Sequence, residues 1–212
     1  RTPCSPVAFQ PQAPQLLDGT IEQNVCLGVP GPPRRGALRR ALAASQLMVD
    51  MDDPRSTLHA ARERTNVGKD GTLLSGGQRA RTALARSVYS TLSGVGMALL
   101  DDPVAPVDNE VLRAAWDAAV LQAMSGVTRV VAVNAQLLRR LAPSADRLVL
   151  LEGGRIVYDG PPEAGLEKAR CLSGSSPTSR AVPGPDAAFP PSPRAEAAAE
   201  EPEEPEEPEE PE

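Results

Sequence analysis

Leu74-Ser75-Gly76-Gly77-Gln78-Arg79-Ala80-Arg81-Thr82-Ala83-Leu84-Ala85-Arg86-Ser87-Val88-Tyr89 is the stretch on which the reading of this chain turns. From Gly76 to Tyr89 the apolar spacing is that of a helix, with Ala80, Ala83, Leu84 and Val88 on its inner side. Ser75 stands in the N-cap position. Gly76 and Gly77 let backbone N–H groups approach a ligand with no Cβ in the way. With the helix dipole they make an anion site suited to a phosphate. Taken alone, Ser-Gly-Gly at a helix start favours a plainer reading, a capped helix with no ligand.

The flanking segments supply a frame. Met97 to Leu100 is a short apolar run stopped by Asp101-Asp102-Pro103, which suits a parallel strand buried on both faces. A carboxylate at the C-terminal end of such a strand lies where open α/β sheets collect ligands. Upstream, Pro30 to Pro33 break the chain, Ala37 to Ala44 read as a helix with Leu38 and Leu42 on one face, and a polar stretch runs to Lys69. Downstream, Glu110 to Met124 are expected to be helical and Val130 to Val133 to form a second buried strand. Arg147 to Leu151 and Arg155 to Tyr158 flank Glu152-Gly153-Gly154, which suits a tight hairpin. Strands alternating with helices predict an α/β fold.

Composition narrows the function classes. The 212 residues carry a net charge of −6, but residues 194–212 hold ten Glu and one Arg, a net of −9, so the remainder is +3. The acidity belongs to the tail. No basic stripe or aromatic platform points to nucleic acid, and none is expected as a partner. Cys4, Cys26 and Cys171 show no C-x-x-C spacing, which fits neither a zinc site nor a disulfide framework. No apolar run reaches the roughly 18 residues of a membrane span. The first residue is Arg1, which suggests a piece of a longer product. Residues 7–170 are expected to be the ordered domain. Residues 171–212, rich in Ser, Pro, Ala and Glu and ending in an E-E-P repeat, are expected to be a disordered linker, because they cannot bury enough apolar surface to offset ordering.

From Gln12 to Gly160 the chain resembles the ATP-binding-cassette (ABC) ATPases, and most specifically at Leu74 to Gln78, the L-S-G-G-Q signature at the head of a helix ending in L-A-R. In that family the signature of one nucleotide-binding domain caps the γ-phosphate of ATP held by a second domain, which assigns nucleotide contacts to Ser75, Gly76, Gly77 and Gln78. Met97 to Asp101 is similar to a Walker B strand, which makes Asp101 a Mg²⁺ ligand. Asp102 takes the position of the glutamate that orients the attacking water. The segment from Ser90 to Asp101 is a few residues longer than usual. Pro103 to Asp108 partly resembles the D-loop, with Asp108 its aspartate. Ala8 to Gln12 resembles the Q-loop, where Gln12 contacts nucleotide and metal, and Gly19-Thr20-Ile21-Glu22-Gln23-Asn24-Val25 continues as in ABC exporters.

Two family elements are missing. Only Lys69 and Lys168 exist, and neither sits in a G-x-x-x-x-G-K-[ST] loop, so the Walker A is expected upstream of Arg1. The family's V-T-H-Q reads Val133-Asn134-Ala135-Gln136 here, with Ala135 in place of the switch histidine. The sole histidine, His59, is expected at the surface. Asp102, the D-D-P wording and Val-Tyr-Ser after the L-A-R helix resemble the first nucleotide-binding domain of subfamily C, the multidrug-resistance-associated branch.

The resemblance implies a partial P-loop NTPase fold of the ABC type, ATP and Mg²⁺ as cofactors, and hydrolysis coupled to solute transport. It also implies an impaired site of its own and a signature donated to the partner site. A second nucleotide-binding domain and the transmembrane domains of the same transporter would be its partners, with this domain on the cytoplasmic side of a membrane. Two other readings stay open: a soluble ABC ATPase outside transport, and a truncated, non-catalytic scaffold.

Overall fold

The structure, a computed structural model, describes residues 6–103 and 109–174. The described residues up to Glu167 belong to one compact unit, and those from Lys168 to Gly174 to a second. The two strands expected from the apolar runs are present and parallel, the second at Thr128–Ala132 rather than Val130–Val133, and Val7–Gln10, not expected as a strand, joins them. The sheet has three strands in the order β1 (Val7–Gln10), β2 (Met97–Asp101) and β3 (Thr128–Ala132). The pairs Phe9–Leu99 and Leu99–Val130 fix the register, so all three C-terminal ends lie at one edge.

One expectation is corrected here. Met97 to Leu100 and Val130 to Val133 read as buried on both faces, but only one face is covered. Ala8, Gln10, Ala98 and Leu100 are buried, whereas Phe9 is 60% exposed, Val130 55% and Met97 38%. A continuous apolar run does not state how many neighbours it has. Among the described residues, nothing packs over the second face well enough to bury those side chains.

Helices line the covered face. The capping box of Thr20 and Gln23 starts the short α1 (Ile21–Val25). Then come α2 (Arg35–Ala44) and α3 (Leu47–Asp52). The stretch up to Lys69, read as simply polar, is a correction of another kind. It contributes Leu47, Met51, Leu58 and Val67, all fully buried, because its few apolar residues converge through α3 and single turns rather than along one periodic face.

The central element is α4 (Gly76–Leu92), whose Ala80, Ala83, Leu84, Ala85, Val88 and Tyr89 are buried. Small side chains let α4 approach its neighbours closely, and Tyr89 accepts the Arg34 backbone N–H at 3.0 Å. Gly94, at φ 110°, ends the helix in a conformation that other residues rarely adopt.

The helix expected over Glu110 to Met124 is wound in two ways. It is α-helical as α5 (Asn109–Ala115) and π-helical from Trp116 to Ala123, with Met124 N–H donating to Ala119 five residues back. After β3 come α6 (Ala135–Leu141), the hairpin β4 (Leu148–Glu152) and β5 (Arg155–Gly160), and α7 (Pro162–Gly174). Gly153 and Gly154 both take positive φ, 55° and 75°, as a two-residue hairpin turn requires.

Candidate functional site

At the head of α4, Ser75 is the N-cap. Its Oγ accepts Gln78 N–H at 3.2 Å, and the Gln78 side chain returns to accept Ser75 N–H at 3.1 Å. This reciprocal box holds the first turn in one conformation. Ser75 is exposed, Gly76 to Gln78 are half-buried, and Leu74 just before them is buried. The turn is thus anchored from below and open from above. Gly71 shapes its approach at φ 74°, where a Cβ would lie 3.0 Å from both Arg79 Cδ and Leu16 Cδ1.

A second cluster forms where the sheet strands end. Asp101 is exposed at the end of β2. Asp102 turns back in the left-handed region, at φ 45°, with its backbone N–H on Ala132 O at 2.9 Å and its carboxylate buried. Aspartate is among the few non-glycine residues enriched in that conformation. Gln12 Nε2 donates to Asp102 Oδ2 at 3.4 Å, and Asn134 Nδ2 donates to the same oxygen at 3.3 Å. Gln10, buried at the end of β1, donates to Pro103 O at 3.0 Å. Segments far apart in sequence therefore meet around one carboxylate.

The structure brings Gln12, Asp101 and Asp102 together at the sheet edge. Ala135 sits exposed at the first turn of α6, next to Asn134, and offers no polar group. Asp108 falls outside the described residues. His59 is exposed, with its Nδ1 3.1 Å from Met51 O, away from this edge in sequence and role. Two residues make contacts that sequence reasoning did not assign. Asn134 carried a signal, since it replaces the threonine of V-T-H-Q. Arg86 was visible only as the last letter of L-A-R. It donates to Gln15 O at 2.9 Å and to Asn24 O at 2.7 Å, and burial pulls its pKa below the usual value while leaving it cationic.

Comparison with known proteins decides the family. The chain is 33% identical over 152 residues to ATP-binding cassette sub-family C member 3 of Mus musculus, a match that covers 71% of this chain and 9% of that protein. It is 36% identical over 152 residues to sub-family C member 10 of Mus musculus, again 71% of this chain and 9% of the relative. The chain belongs to subfamily C of the ABC proteins. ABC transporter C family member 13 of Arabidopsis thaliana extends the likeness to plants, at 36% identity over 156 residues, 73% of this chain and 10% of the relative. The chain thus spans about a tenth of the length of these ABC relatives. No family model matches it. Among the described residues, no helix is long and apolar enough to cross a membrane.

Proposed function

We propose that this chain is the C-terminal two-thirds of the first nucleotide-binding domain of a subfamily C transporter, and that it works as half of an ATP-driven pair. The observation that carries the reading is the intact signature turn, capped from within and open to solvent at the head of α4. In this role Ser75, Gly76, Gly77 and Gln78 lie against the γ-phosphate of an ATP held by the partner domain. The N–H groups of the first turn not used by the capping box, together with the aligned dipole, favour that negative charge.

The sheet edge serves this domain's own nucleotide. Asp101 and Gln12, both exposed at the strand ends, fit a Mg²⁺ that keeps most of its ligands from water and phosphate. When bound, such an ion would supply charge neutralisation for the transferred phosphoryl group. The phosphate-cradling lysine would come from an upstream segment, and Asp108 would supply the D-loop contact. Asp102 is one methylene short of the usual glutamate, and misplacement of about 1 Å can cost ~100-fold in rate. Ala135 supplies no hydrogen bond as charge moves onto the phosphate, a loss of about 3 kcal/mol. Binding without rapid hydrolysis follows at this site, while the partner site turns over. In the whole transporter that turnover would drive solute across a membrane, with the transmembrane domains as partners and this domain on the cytoplasmic side.

The test is Gly77→Asp in the full-length parent. A carboxylate set against a desolvated γ-phosphate costs on the order of several kcal/mol, so steady-state ATPase activity is expected to collapse while nucleotide still binds at this domain's own site. Wild-type turnover in that variant would overturn the donor role.

A further inference from the structure

We propose that Asn134 is a positioning residue that draws the Asp102 carboxylate toward the end of β3 and so keeps this site slow, beyond what Asp102 and Ala135 do by themselves. The inference rests on the nucleotide site proposed above. Its evidence is a contact between two departures from the family pattern.

The orientation of Asn134 is settled by its own helix. As N-cap of α6, its Oδ1 accepts Gln136 N–H at 2.9 Å and Leu137 N–H at 3.2 Å. With the oxygen committed to two backbone donors, the Nδ2 end points the other way, and it reaches Asp102 Oδ2 at 3.3 Å and Oδ1 at 3.5 Å. Threonine, the family residue here, caps a helix through its hydroxyl but has no N–H₂ to offer a carboxylate. The replacement therefore keeps the cap and adds a donor.

Asp102 is built to meet that donor. Its backbone lies in the left-handed region at φ 45°, with its N–H on Ala132 O, and its carboxylate is reached by Gln12 and Asn134. Gln12 donates from the opposite segment at 3.4 Å. A buried carboxylate between two amides has its oxygens engaged as acceptors within the protein. Restoring the glutamate and the histidine leaves the Asn134 donor in place, ready to take the new carboxylate as well.

The experiment uses the full-length parent with its partner site inactivated. Single-turnover hydrolysis of Mg-ATP is measured for Asp102→Glu with Ala135→His, and for the same pair with Asn134→Thr added. Equilibrium binding of a fluorescent ATP analogue is measured alongside. The triple variant is expected to hydrolyse at least about tenfold faster than the double, a change on the scale of sub-ångström to 1 Å repositioning, with nucleotide affinity unchanged within about threefold. Asn134→Ser, which also caps, should act like Asn134→Thr, and guards against a fault peculiar to threonine. In density maps of the parent carrying only Asn134→Thr, the Asp102 carboxylate should leave hydrogen-bond reach of residue 134. Equal rates in double and triple variants with nucleotide bound, or an unmoved carboxylate, would overturn the inference alone. Absence of nucleotide from this site in every variant would overturn it together with the function it rests on.

Discussion

Arg86 holds Asn24 by two oxygens at once, donating to its backbone carbonyl at 2.7 Å and to its side-chain Oδ1 at 3.0 Å. Asn24 in turn donates to Leu17 O and Thr20 O and accepts Leu17 N–H. The loop that follows Gln12 is thereby tied to the helix that carries the signature. The bonds run to carbonyls rather than carboxylates, so they do not depend on a second charge.

Removing that tie should be costly. Arg86→Met takes the Arg86 donor from Gln15 O and Asn24 O, leaves Asn24 Oδ1 only Leu17 N–H, and deletes hydrogen bonds to a charged group worth roughly 1.5–3 kcal/mol each before the chain relaxes. We expect a net loss of about 2–4 kcal/mol in the parent domain and faster proteolysis between Gln15 and Asn24. Arg86→Lys, which reaches only part of the set, should fall between. A wild-type melting temperature and cleavage rate in Arg86→Met would refute the tie.

Gly71 allows a narrower check. At φ 74° with Leu16 and Arg79 carbon atoms 3.0 Å from a Cβ, alanine is opposed by both backbone and packing. Gly71→Ala should destabilise the domain by about 1–3 kcal/mol, read as a fall in the thermal midpoint. Gly36→Ala serves as the control, since a Cβ there meets nothing within 4 Å.

Cys26 gives a pH-dependent readout. Burial pushes its thiol pKa up, the hydrogen bond with Tyr89 pulls it partly back, and Glu22 raises it further. A raised thiol pKa means less thiolate at any pH below it, and the thiolate is the reacting form. Alkylation of Cys26 near pH 8 should be slower in the folded chain than in denaturant. The gap should narrow as pH rises through the folded pKa. The exposed Cys171 should show a smaller gap. Equal folded and denatured rates at Cys26 would contradict the burial.

The uncovered sheet face predicts how residues 1–212 behave by themselves. Phe9, Val130, Met97 and Val7 stand exposed in adjoining rows of one face. Calorimetry on the isolated chain should give a broad, weak transition and strong binding of a hydrophobic dye. On the proposed reading of this chain as part of a larger domain, adding upstream residues should sharpen the transition. A sharp cooperative peak from the isolated chain would count against this.

Much of the architecture could be read from local rules. The α4 helix declared itself by an N-cap, two glycines and an apolar period, because those features act within a few residues of each other. The hairpin was legible in Gly153-Gly154 for the same reason, and the family likeness in the L-S-G-G-Q letters. Other features needed the folded chain. α3 and the buried Leu58 and Val67 hid in a stretch without period, since their burial comes from several short segments closing on α4. The exposed face of β2 and β3 was invisible, because an apolar run looks the same whether one side or both are covered. The meeting of Gln12, Asp102 and Asn134 was also beyond the sequence. Residues 90 and 32 positions apart come within hydrogen-bond reach only because three parallel strands end at one edge and Asp102 turns back across it. Sequence fixes which donors and acceptors exist, while strand register and backbone dihedrals decide which of them touch.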